Sequence, residues 1–324
     1  MVEGEQLDAT ERIARAAEVL RDGGLVAFPT ETVYGLGVDA TNEAAVARLF
    51  EVKGRPPEHP VIVHISETAD LGRWVDPVPT TAVRLGERFW PGPVTVIVPR
   101  RAGGIVDAVT GGRSTVGMRV PDHPFALDLL RRVERPIAAP SANRFGRVSP
   151  TVAADVVADL GDAVDTVLDG GPCTVGIEST IVDCAVAPPV VRRLGGVPLE
   201  EIEAVVGANV ALDTDSVGAP GTMPSHYAPR ATVVLTSREE LPAVAERRLA
   251  SGERVGVLGL GVVVPSGAAD LGVQGDLTDY ARLLYARLRE ADRCGLDTVL
   301  AVPPPPSGRG AAVTDRLRRA SGTR

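Results

Sequence analysis

With 324 residues, 44% of them hydrophobic, the chain can bury one large core or two ordinary ones, and two domains of about 100–200 residues each is the expectation. A formal charge of -8 and a pI near 5.2 exclude a protein that grips nucleic acid over its whole surface, because phosphate binding is carried by cationic side chains, though a local basic groove stays open. The acidic start MVEGEQLDAT is unlike a secretory leader and no apolar run approaches the ~20 residues of a membrane span, while Cys173, Cys184 and Cys294 match neither a disulfide framework nor a zinc site; a soluble, cytoplasmic chain with reduced, mostly packing cysteines is expected.

Along the chain, Thr10 followed by ERIARAAEVLRDGG predicts a capped amphipathic helix that ends at Gly23–Gly24. The strand LVAF follows, and PTETVYGLGVDA is too rich in turn formers to continue it. Asn42 caps a second predicted helix, EAAVARLFEVKG, which delivers Lys53 to the loop KGRPPEHP just before the strand VIVHI. VTVIV, VGMRV and PIAA are further strands separated by helical or turn-rich sequence, which is an α/β pattern. After the helix PLEEIEAVVG comes ANVALDTDSVGAPGTMPSHYAPR, whose Gly, Pro and small polar residues suit an exposed connector. Beyond it ATVVLTS, RVGVLGL and DTVLAVP predict buried strands, with helices near 239–250, 277–293 and 310–320, as in a small Rossmann-like unit of parallel strands.

The usual nucleotide signatures are absent: there is no GxxxxGK[ST] loop, and GVLGLG at 256–261 fails the GxGxxG spacing. His59, His64, His123 and His226 form no metal motif, and no GxSxG elbow occurs. Three stretches nevertheless concentrate chemistry. PTETVYGLG at 29–37 puts hydroxyls and a tyrosine directly after a strand, where α/β proteins place ligand sites. KGRPPEHP at 53–60 sets an ammonium and a guanidinium two residues apart, a clamp for adjacent phosphates. APSANRFGRVSPT at 139–151 spends one of three asparagines, Asn143, beside Ser141. Each alone also reads as ordinary turn chemistry, a solvated charge pair, or a helix cap at Ser149. Basic residues are 33 arginines and one lysine; Lys53 is either a chance survivor of a GC-rich coding bias or a position that a forked guanidinium cannot fill.

Taken together with TVGMRVPDHP, SPT, GIESTIVD, RRLG and HYAP, these blocks resemble the YrdC/TsaC family of threonylcarbamoyl-AMP synthases, in its two-domain Sua-type branch, over nearly the whole length. The resemblance implies an α/β fold made of a YrdC-like twisted sheet with a central cleft (1–206), a linker or lid (207–230) and a small Rossmann-like C-terminal domain (231–324). It implies that L-threonine, bicarbonate and ATP become threonylcarbamoyl-AMP and pyrophosphate, with Mg²⁺ assisting, and that a tRNA-modifying transferase complex accepts the adenylate; direct tRNA contact is left open. Carried over residue by residue, it implies a catalytic cluster of Lys53, Arg55, Ser141 and Asn143. Arg55, His59, Thr115, Ser141, Ser149, Arg193 and Tyr227 would contact the nucleotide, and Thr32, His64, Arg119, Ser179 and the backbone at Ala139 would hold threonine.

Two residues depart from the family pattern: His59 stands where asparagine is frequent, and Phe145 replaces a small residue after SAN. No general base is implied; Glu31 and Glu178 lie in the right motifs, with loop ordering as the plainer role. The histidine and tyrosine in GAPGTMPSHYAP predict that this segment folds across the cleft with Tyr227 on the nucleotide. Rival readings are a carbamoyl-transfer enzyme built on a related domain and a non-catalytic RNA-binding module.

Overall fold

The computed structural model describes residues 8–214 and 227–322. Ten strands in the first part form one sheet: β1 (Val26–Phe28), β2 (Gly35–Asp39), β3 (Val63–His64), β4 (Val94–Pro99), β5 (Thr115–Arg119), β6 (Ile137–Ala138), β7 (Thr166–Val167), β8 (Thr180–Asp183), β9 (Val190–Arg193) and β10 (Ala211–Leu212), in the order β10-β9-β8-β4-β5-β3-β6-β2-β1-β7. The second part adds β11 (Thr232–Leu235), β12 (Val255–Leu258), β13 (Ala269–Asp270) and β14 (Thr298–Ala301), all parallel, in the order β11-β14-β12-β13. Both expected units are thus present, one large mixed sheet and one small Rossmann-like sheet.

Apolar patterning explains why the large sheet is sandwiched. Along β1 the side chains alternate, with Leu25 and Ala27 in one core and Val26 and Phe28 in another, as a pleated strand covered on both faces requires. The second core is closed by the helices Ala9–Arg21 and Pro124–Val133. A third core joins the two halves: Val33, Val148 and Ile177 pack with Tyr227, Tyr280, Leu284, Tyr285, Leu288 and Leu317.

Local chemistry settles several boundaries. The first helix is capped by Asp8, not Thr10: the Asp8 carboxylate accepts from the Glu11 amide at 2.8 Å and the Glu11 carboxylate accepts from the Asp8 amide at 3.0 Å, a reciprocal box that Thr10 has no residue to complete. Asn42 caps the helix Glu43–Lys53 as expected, and Gly54 ends it in the left-handed region at φ 62°. Of VIVHI only Val63–His64 is paired as strand, and β13 carries no clear sequence signal. The expected connector begins as an edge strand, since Ala211–Leu212 pairs with Val190–Val191; residues 215–226, where most of the expected lid and His226 fall, lie outside the described residues. Cys173 and Cys184 are buried and Cys294 is exposed, all three unbridged.

The close approach of 194–196 to the start of β8 leaves no room at Gly195. A Cβ there would lie 2.3 Å from the Glu178 carbonyl oxygen, 2.4 Å from the Ser179 carbonyl carbon and 2.5 Å from the Thr180 nitrogen. All three are backbone atoms and cannot rotate away. Gly195→Ala is therefore expected to lower stability by about 1–3 kcal/mol or more, as overpacking does, read as a shift of the denaturant midpoint.

Candidate active site

The three chemically dense loops converge on one cleft of about 60 Å³, lined among others by Thr32, Lys53, Arg55, His64, Arg119, Ala139, Ser141, Asn143, Ser179, Arg193 and Tyr227. Strand register does part of the work: His64 at the end of β3 is the direct neighbour of Arg119 at the end of β5, so both side chains share a face. The loop after β1 is tied by the Thr30 hydroxyl, which donates to the Val33 carbonyl at 2.6 Å and lies 2.8 Å from the Thr32 hydroxyl. Ala139 donates its amide to the Ile62 carbonyl at 2.9 Å.

Four cations meet here, and backbone carbonyls hold all of them. Lys53 Nζ donates to the carbonyls of Ser141 and Asn143, both at 2.5 Å. Arg55 donates to the carbonyls of His59 at 3.3 Å and Pro60 at 2.8 Å. Arg193 donates from Nε at 3.1 Å and from Nη2 at 3.0 Å to the Ser179 carbonyl, and from Nη2 to the Ser179 hydroxyl at 3.1 Å; that hydroxyl also lies 2.7 Å from Thr95 Oγ1. Arg119 donates to the Gly92 carbonyl at 3.2 Å and pairs at 2.6 Å with Glu31. Both members of that ion pair are buried.

The electrostatics follow from burial. Desolvation, then the neighbouring Arg55 charge, pulls the Lys53 ammonium well below its ordinary value, and desolvation lowers Arg55 to about 10. Desolvation, then Arg119, pushes His64 down from 6.5 to about 3, so its imidazole is neutral at physiological pH. Its Nδ1 has no hydrogen-bond partner among the described residues. Glu178 also lines the cleft. Burial opposes its charge, but Arg316 leads Arg193 and Tyr285 in holding it down at about 2.

Three further expected nucleotide contacts stand at the border of this cleft. Ser149 is fully buried and donates its hydroxyl to Glu178 at 2.8 Å. Thr115 lines a small neighbouring depression with Thr95 and Arg113 that shares Pro60, Val61 and Ile62 with the cleft. His59 is half-buried and packs edge-on against Phe145 at 5.7 Å, while Arg55 lies 5.7 Å over the same Phe145 ring. The two departures from the family pattern therefore touch each other and build one aromatic rim. Asn143 turns its amide toward its own loop, donating to the carbonyls of Arg144 and Arg147 at 2.8 Å each. Sequence reading did not single out Tyr285 and Arg316, which reach Glu178 from the C-terminal half; the scarcity of tyrosine, four in the chain, was the one available hint.

Among the described residues no three His, Cys, Asp or Glu side chains gather as a metal cage. Both oxygens of Glu178 accept hydrogen bonds, and Glu31 is committed to Arg119 and the Asp122 amide. The cleft does not fit a magnesium ion held by protein carboxylates. No helix among the described residues is long and apolar enough to cross a membrane.

Two family models match in series, one described as telomere recombination over residues 18–195 and one as threonylcarbamoyl-AMP synthase, C-terminal domain, over 197–322. The threonylcarbamoyl-AMP synthase of Pyrococcus abyssi is 43% identical, with 97% of this chain and 95% of that protein covered. The Bacillus subtilis protein of the same name is 41% identical, with 97% and 94% covered. The crystal structure of P. abyssi Sua5 complexed with L-threonine superposes with a TM-score of 0.92 at 41% identity, covering 98% of this chain and 96% of that one.

Two outcomes follow from the geometry. Lys53→Arg should lose most activity with charge retained, because the bulkier planar guanidinium does not fit between two carbonyls that converge on one nitrogen; turnover of the variant against wild type measures it. Stability should fall on acidification. The unfolded His64 takes a proton below about pH 6.5 but the native one only near 3, so stability is lost as pH drops through that window, and Glu178 adds a second loss between its ordinary 4.5 and about 2. His64→Gln should flatten the upper part of this slope in thermal melts taken across pH.

Proposed function

The chain belongs to the threonylcarbamoyl-AMP synthase family, and from that membership we propose that it condenses L-threonine, bicarbonate and ATP into threonylcarbamoyl-AMP and pyrophosphate. The observation that carries the reading is the convergence of Lys53, Arg55, Arg119 and Arg193 with small hydroxyls in a single cleft of a chain whose net charge is -8. Such a site attracts anions.

The reaction needs alignment and charge stabilisation. The threonine amine takes up carbon dioxide derived from bicarbonate and loses a proton to give a carbamate. A carbamate oxygen then bonds to the α-phosphorus of ATP while the bond to the bridging oxygen breaks, and pyrophosphate leaves with the electron pair. Lys53, Arg55 and Arg193 are the residues we assign to the phosphates, with Ser141 and Asn143 fixing the loop that anchors Lys53. Because carbonyl dipoles hold Lys53 and Arg55 without neutralising them, their charge remains available to the oxygens on which negative charge builds. Arg119 is assigned to the threonine carboxylate, since a guanidinium can accept it through two parallel hydrogen bonds; Thr32, His64, Ser179 and the backbone at Ala139 complete that pocket. Tyr227 and the His59–Phe145 rim bound the nucleotide side. Thr115 and Ser149 are assigned to the nucleotide as well.

Magnesium would enter on the ATP phosphates and not on a protein site. The same proposal includes the division into a catalytic unit (1–206), a connecting segment (207–230) and a C-terminal unit (231–324). It also includes a cytoplasmic setting and delivery of the adenylate to a tRNA-modifying transferase complex.

The test is pyrophosphate release from ATP and bicarbonate with single amino acids. Dependence on threonine is expected; release without an amino acid, or none with threonine, overturns the reading and returns the carbamoyl-transfer and RNA-binding rivals. Arg119→Ala should raise the threonine KM about 10- to 100-fold, the loss of a charge-assisted bond worth ~1.5–3 kcal/mol, with the ATP KM little changed. An unaltered threonine KM would remove Arg119 from the pocket.

A further inference from the structure

Among the described residues, the most completely buried charge lies outside the catalytic assignments. Arg316, on the helix Arg309–Ser321, has no exposed surface and is the largest fully buried side chain. Its Nε donates to Glu178 at 2.9 Å, its Nη1 to Asp315 at 2.6 Å and its Nη2 to the Leu194 carbonyl at 2.8 Å. The guanidinium carbon sits 5.2 Å from the centre of the Tyr227 ring. Tyr285, from the helix Leu277–Arg293, also stacks on Tyr227 at 5.5 Å and donates its hydroxyl to Glu178 at 2.7 Å. Tyr227 is thus in contact with both an aromatic ring and a cation of the C-terminal half, with its backbone in the left-handed region at φ 63°, a conformation that a tyrosine adopts only where its surroundings enforce it.

Glu178 gathers these contacts and hands them to the cleft. One oxygen accepts from Ser149 and the other from both Tyr285 and Arg316, and the next residue, Ser179, lies under Arg193. The approach is tight: a Cβ on Gly176 would lie 2.2 Å from the Arg282 carbonyl, backbone against backbone. Stability alone is a weak reason for this arrangement, since buried ion pairs can often be replaced by apolar residues without loss. Geometry is the stronger one, because the network joins two helices of the C-terminal half to Glu178 and Tyr227, both in the cleft wall.

We propose that Arg316 and Tyr285 are positioning residues through which the C-terminal unit holds Glu178, and with it Ser179, and Tyr227 in their places in the cleft. This rests on the reading of the cleft as the synthase site. The C-terminal unit then acts on substrate affinity and turnover without touching substrate.

The experiment uses the full chain in four forms. Tyr285→Phe withdraws one donor from Glu178 and keeps the ring on Tyr227. Glu178→Gln combined with Arg316→Met removes both charges, so that no lone buried charge compromises folding. Arg289→Gln loosens a different contact between the halves, the one to Asp159 and the carbonyls of Val148 and Ser149. Wild type is the reference. Thermal midpoints, KM and kcat for threonine-dependent pyrophosphate release, and amide hydrogen exchange at 177–180 and 227–231 are measured. Tyr285→Phe and the double variant should lose about tenfold or more in kcat/KM, the size expected when a hydrogen bond to a charged group is withdrawn, with faster exchange in those two segments. Arg289→Gln should lower the thermal midpoint while its KM and kcat stay within about twofold of wild type. If Tyr285→Phe and the double variant stay within about twofold with unchanged exchange, or if Arg289→Gln reproduces their kinetic loss, the positioning role falls. If wild type shows no threonine-dependent release, the synthase reading fails by itself, and local exchange alone decides whether these residues order the cleft.

Discussion

A carboxylate buried in protein persists as a charge only where donors surround it, and Glu178 is surrounded from three directions: Ser149 from the first half of the chain, Tyr285 and Arg316 from two helices of the second. Each donor needs the carboxylate as much as the carboxylate needs it. Arg316 without Glu178 would be a buried guanidinium facing Asp315 and one carbonyl, and Glu178 without Arg316 would be driven toward its neutral form. Around this mutual requirement the two sheets share one apolar core in which Val33, Val148 and Ile177 meet Tyr280, Leu284 and Leu317. Apolar burial supplies the bulk of the driving force for docking, and the directional bonds to Glu178 fix where the halves stop.

The cleft beside it solves a different problem, which is how to concentrate positive charge against few counter-charges. Lys53, Arg55 and Arg193 are satisfied mainly by backbone carbonyls, and Arg119 by a carbonyl and a single carboxylate. Carbonyls stabilise a cation as dipoles and leave its net charge in place. The cost is desolvation, visible in the lowered values of Lys53 and Arg55. An anionic ligand that displaces water and adds negative charge offsets that cost, so the cleft is electrostatically suited to the substrates assigned to it.

Much of this was legible in the sequence because it is local. Apolar alternation foretold the buried strands, Asn42 foretold a helix cap, and three chemically dense stretches, two after strands and one after a helix, foretold loops that meet at a ligand site. The lone lysine among 33 arginines pointed to Lys53 before any contact was known, and two carbonyls converging on Nζ give that singularity a steric reason. Short strands such as Ala269–Asp270 and Ala211–Leu212 escaped because two residues carry no periodicity, whereas the Asp8 cap is legible in its spacing to Glu11 and the expectation of Thr10 passed it over.

What the sequence by itself determined is the inventory: which segments fold as strand or helix, which loops carry hydroxyls and cations, and the ordered motif blocks that tie the chain to its family. What only the tertiary structure decided is who meets whom across long separations. Ser149, expected on the nucleotide from its motif, also donates to Glu178 29 residues away. Tyr285 and Arg316 looked like unremarkable members of amphipathic helices and reach the same carboxylate across 107 and 138 residues. Periodicity and capping are set by neighbours within a few bonds and can be read from order alone. The pairing of a buried charge is set by which surfaces pack together, and that is known only once the chain has folded.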